Sequence, residues 1–208
     1  LQAQPDYKIV VRLCNPIHWI NNTMGEQNAI EMFKLLTEAF KTIEDQELCE
    51  DIAISSLDPF IKNYNIPEEL VYPLVDDAMN GRLKVLRGSP PQKIFPPCIP
   101  AFMIIDAYIK KFPTKGAALL PTLLEWLSTA SIQIVPPILI PINTALDSGC
   151  FTQDTVGQLA TTIKEIITKC DVIQGREIGA LSDTANRVFN LFPAKMEPID
   201  EYLVALTE

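Results

Sequence analysis

The sequence predicts an all-α protein, and three observations carry that expectation. Apolar residues recur at alternating three- and four-residue steps along most of the 208 positions. Helix-start chemistry precedes two of these runs, as Thr23-x-x-Glu26 and at Thr152. The β-branched stretch from Tyr7 to Leu13 shows no clean alternation, and a lone strand would leave its ladder groups unpaired. The expected architecture is a single-domain multi-helix bundle or wrapped helical array of about 8–9 helices.

In chain order, Ala29, Phe33, Leu36, Phe40 and Ile43 form the first apolar stripe, with Glu31, Lys34, Glu38 and Lys41 opposite. A second helix is expected from Asp45 through Leu48, Ile52 and Phe60, with acids near its positive end. The third starts at Pro67, carries Leu70, Val71, Leu74 and Val75, and stops near Asn80-Gly81. Phe102, Ile105, Ile109 and Phe112 predict a fourth, ended by Pro113. Beyond the centre, Val156, Leu159, Ile163, Ile166 and Cys170 share one helical face. Ile178, Leu181, Ala185, Val188 and Phe192 share the next, and Ile199, Leu203 and Leu206 the last.

Ten of the 17 prolines lie between Pro90 and Pro141, so short or kinked helices are expected there. Residues 89–97 are the one plausible linker, separating 1–88 from 98–208; similar composition on both sides favours one domain, 1–208, with an ordered crossover. No letter-level repeat is found.

The most unusual stretch is Gly116–Leu146, whose single charged residue is Glu125. Trp126 to Leu146 would be long enough to enter a bilayer. However, Pro136, Pro137 and Pro141 disturb helical hydrogen bonding, and Ser128, Ser131, Gln133 and Asn143 are polar, so no membrane span is expected. A central helix pair, apolar because other helices surround it, is the simplest account. The more specific account is a cavity that bent backbone holds open for a greasy ligand, lined by Trp126, Ile134, Ile138 and Ile142, with Tyr108 or Glu125 as polar anchor.

Composition narrows the function classes. Hydrophobic residues make up 48% against 21% charged, which excludes disorder, and a net charge of −9 disfavours nucleic acid. His18 is the only histidine, so multi-histidine metal sites are excluded within one chain and any His-dependent nucleophile must use it. Glu50-Asp51, Glu68-Glu69 and Asp76-Asp77 are sequence neighbours pointing about 100° apart on a helix, so none forms a facing acid–base pair by itself. Phosphate-cradle, nucleophile-elbow and calcium-loop motifs are missing. No enzyme, metal or cofactor is expected, apart from a bound lipid or other apolar ligand.

The sequence starts at Leu1 and shows no leader-like segment, which leads us to expect a processed chain. Asn21-Asn22-Thr23 is a glycosylation sequon with Asn21 as acceptor. Cys14, Cys49, Cys98, Cys150 and Cys170 contain no C-x-x-C pair; in an oxidising compartment two disulfides would leave one thiol to link a homodimer. In the cytoplasm all five would be small buried hydrophobes. The expected function is therefore a secreted, non-enzymatic helical glycoprotein that encloses a hydrophobic small molecule, pigment or lipid. The alternatives are a helical-repeat protein–protein interaction module and a structural or storage protein cross-linked through cysteine.

Overall fold

The computed structural model describes residues 24–42, 52–80, 99–169 and 175–195, and every described element is helical. The chain is all-α, as the apolar spacing predicts. Tyr7–Leu13, Cys14, His18, Asn21, Ile43, Cys49, the 89–97 stretch, Cys98, Cys170 and the Ile199–Leu206 helix lie outside the described residues. Contacts gather into two compact units, Leu1–Lys111 and Phe112–Glu208.

In the first unit, α1 (Glu26–Thr42) buries Ala29, Phe33, Leu36 and Phe40 on the expected stripe. The expected second helix arrives in a different form. A π-helical segment, Ala53–Leu57, runs directly into α2 (Asp58–Asn63), where Pro59 has no N–H to offer the preceding coil. Nothing in residue identity marks a π-turn, so periodicity reads straight through it. α3 (Glu68–Asn80) carries Pro73 in its interior, facing solvent, where water can serve the carbonyl that loses its helical donor. α4 (Ile99–Lys111) stops one residue short of the expected Phe112, because Pro113 pushes its predecessor out of helical geometry; Phe112 has φ −128° and ψ 64°.

α4 packs against α2, α3 and the π-helical segment, which also touches α1. Phe102, Ile105 and Ile109 of α4 meet a core that includes Leu57, Ile61 and Leu74. Each such side chain contributes roughly 1.5–3 kcal/mol on burial. One polar group is set into this apolar contact. The Lys62 ammonium lies 2.8 Å from Asp58 Oδ1 on its own helix and 3.0 Å from Asp106 Oδ2 on α4. Both carboxylates belong to buried residues, so Lys62 joins α2 to α4 by neutralising charge that would otherwise be desolvated.

The second unit opens with α5 (Pro113–Gly116) and a 3-10 turn, followed by α6 (Leu120–Thr129), a second 3-10 turn at Ile132–Ile134, and α7 (Val135–Asp147). α8 (Gln153–Lys169) and α9 (Gly175–Leu191) complete its described helices. α7 packs on α6 and α9, and α8 packs on the same two. The apolar stretch folds into α6 and α7; α7 buries nine of its 13 residues, whereas α6 buries four of ten and keeps an exposed face. Among the described residues no helix is long and apolar enough to cross a membrane.

Two local motifs set the ends of α7 and α8. Gly149 adopts φ 70°, its N–H reaches Leu146 O at 3.1 Å, and the Cys150 N–H reaches Ala145 O at 2.9 Å, which is the Schellman pattern. Thr152 then caps α8. Its hydroxyl accepts from the Thr155 N–H at 3.3 Å, and Thr155 Oγ1 accepts from the Thr152 N–H at 2.9 Å. A Cβ at Gly149 would meet nothing within 4 Å, so its cost is backbone strain alone. Gly149→Ala is expected to lose about 1 kcal/mol and Gly149→Asn less, read from urea midpoints at unchanged slope.

Candidate functional site

The residues expected to form a ligand site divide between the two units. Tyr108, on α4, belongs to the first. It is buried, and its hydroxyl donates to Glu68 Oε1 at 2.9 Å, while its ring lies 6.1 Å from Tyr72. Burial, with Glu68 adding to it, pushes the Tyr108 phenol well above its usual value of 10.0. A raised phenol stabilises the fold while protonated: the contribution is complete below 10.0 and fades as pH climbs through the folded value. Tyr108→Phe is expected to cost about 1–2 kcal/mol near neutrality and to weaken the alkaline loss of stability, measured by urea unfolding across a pH series.

Glu125, Trp126, Ile134, Ile138 and Ile142 all belong to the second unit. On α6, Glu125 is exposed and Trp126 half-buried. Ile132 and Ile134 in the 3-10 turn are also half-buried, so three large apolar side chains retain access to solvent around the α6–α7 connection. The next five residues, Val135 to Leu139, are all buried. Ile138 is 2% exposed and Ile142 0%; both belong to the packed core, whereas Ile140 turns outward.

The prolines of α7 act in two ways. Pro136 and Pro137 lie in its first turn, where N–H groups have no intrahelical role. Pro141 lies inside the helix and has no N–H to offer the Pro137 carbonyl four residues back. It is buried, so the disturbed ladder sits on the protected side.

α7 and α9 run side by side in the same direction. Asn143 Nδ2 donates to Asp183 Oδ2 at 3.3 Å, and one turn further on Arg187 pairs with Asp147, both across 40 positions. Carried back at that offset, the first residues of the two helices, Val135 and Gly175, correspond in register. The same register sets Glu177 level with Pro137.

Glu177 is the site residue that periodicity passes over. It is 8% exposed, and its Oε2 has no hydrogen-bond partner. It occupies the buried stripe of α9 with Leu181, Thr184, Ala185 and Val188, while Ile178, the expected stripe residue, is only half-buried. The signal was present as a step of four back from Leu181, but a charged residue there reads as solvent-facing. Glu125, the anchor expected from sequence, points into solvent instead.

Cys150 is a free thiol that donates to the Pro113 carbonyl at 3.2 Å, and burial raises its pKa, so it is held as a neutral thiol. An open depression of about 530 Å³ runs along α8, lined by Gln153, Asp154, Gly157, Gln158, Thr161 and Thr162, with Lys195. Among the described residues no group of three or more His, Cys, Asp or Glu side chains is arranged to hold a metal ion.

Comparison of the chain with protein-family models, curated proteins and solved structures finds no match in any of the three.

Proposed function

We propose that the protein is a secreted, non-enzymatic carrier of an apolar small molecule or lipid chain, received at the α6–α7 connection of the second unit. The observation that carries this reading is the juxtaposition of half-buried Trp126, Ile132 and Ile134 with the buried, proline-interrupted start of α7. Apolar side chains that water still reaches gain free energy when a hydrocarbon covers them, at about 25 cal/mol per Å². Ile138 and Ile142 of the same helix are buried, and Pro141 weakens its hydrogen-bond ladder.

Secretion is supported by the Asn21 sequon and by the five dispersed cysteines, which would form two disulfides and leave one thiol to link two copies. Intact mass before and after reduction reads glycan, disulfides and dimer together.

The carrier reading is tested by native mass spectrometry and solvent extraction of the full chain, followed by titration with a brominated long-chain alcohol. A co-purifying apolar mass and quenching of tryptophan fluorescence that disappears in Trp126→Phe are the expected results. An empty mass with unquenched fluorescence overturns it. A second reading, docking of a partner protein, is favoured by exposed Leu35, Ile54 and Tyr72 in the first unit. Full reduction of all five cysteines in the purified protein would favour that reading.

A further inference from the structure

Glu177 places a carboxylate oxygen inside the second unit with nothing bonded to it, and its surroundings specify what is missing. It lies in the first turn of α9, level with the first turn of α7. Each helix start carries roughly half a positive charge, so two side by side offset about one carboxylate. Countercharge is therefore already supplied. A hydrogen-bond donor is not: among the described residues nothing donates to Oε2, the first-turn amides of α9 included, and Pro136 and Pro137 at the start of α7 have no N–H.

We infer that this spot receives the hydroxyl of an otherwise apolar ligand, a long-chain or polycyclic alcohol. The hydroxyl donates to Glu177 Oε2, and the hydrocarbon lies along the start of α7 toward Trp126 and Ile134. An amine would bring surplus positive charge to two positive helix ends. A fatty acid would bring a second carboxylate and no donor. A bare hydrocarbon or an ether would leave Oε2 desolvated and unpaired, which is the costly outcome.

The inference rests on the carrier reading, and one experiment separates the two. The full chain is loaded with the neutral dye N-phenylnaphthylamine, which is then displaced by decanol, decyl methyl ether, decylamine or decanoate. Decanol is expected to displace at about tenfold lower concentration than its methyl ether, and also ahead of the amine and the acid. In Glu177→Met the alcohol and ether are expected to become equal, with the dye still bound. If alcohol and ether compete alike in the wild-type chain, or the amine outcompetes the alcohol, the head-group assignment is overturned while the carrier reading stands. Persistence of the alcohol preference in Glu177→Met overturns it too. If the dye does not bind and no chain competes, the carrier reading itself fails.

Discussion

Ile142→Ala is expected to lower folding stability by about 2–5 kcal/mol, because the removed atoms leave a void in a core that relaxes only in part. Ile142 is 0% exposed on a helix clamped by α6 and α9. Ile140→Ala, on the outward face of the same helix, is expected to change stability by less than about 0.5 kcal/mol. Urea unfolding of the two variants measures the contrast. The substitution also bears on function. An apolar void stays dry and admits a hydrocarbon of matching size, so a short-chain alcohol or alkane should recover part of the lost stability in Ile142→Ala. Equal losses in the two variants would mean that α7 is not packed as described.

Lys62→Met is expected to cost about 3 kcal/mol at neutral pH, the low end for breaking a buried ion pair. The low end applies because Lys62 retains 24% of its side-chain surface in water. The loss comes from Asp58 and Asp106, two buried carboxylates left facing each other. The pH dependence follows from the shifts. Burial raises the Asp58 carboxyl above 3.8 although Lys62 pulls it down, so its contribution is complete below that value and declines as pH climbs through the folded one. Burial lowers Lys62, but hydrogen bonds to Asp58 and Asp106 outweigh it and hold the ammonium above 10.5. Its contribution therefore persists up to that pH and disappears beyond it. The deficit of Lys62→Met should accordingly shrink in acid, where Asp58 takes up its proton, and the alkaline loss of stability should flatten. Denaturant midpoints across the pH range read both effects; a deficit independent of pH would remove the cluster as its cause.

Much of the fold was legible because spacing and caps report on it directly. Thr152 starts α8 through the bonds its sequence implies, and Val156, Leu159 and Ile163 bury as expected. The stripe then drifts, and Ile167 rather than Ile166 is buried, since alternating steps of three and four only approximate the 3.6-residue turn. In α9 the same ambiguity substitutes Glu177 for Ile178. Hydrophobic pattern cannot flag a buried carboxylate, because its position is fixed by the helices packed around it. In sequence, Tyr108 and Glu125 are polar groups near an apolar run. Packing ties Tyr108 to Glu68 and turns Glu125 outward.

The π-helical segment before α2 has a mechanical consequence. One residue inserted into an α-helical ladder rotates everything after it by about 100° about the axis. That rotation sets the angular phase at which α2 presents Asp58 and Lys62 to Asp106. Removing half-buried Ser55 would regularise the ladder and swing Lys62 off α4 by more than a quarter turn, so the wider coil indexes the ion cluster.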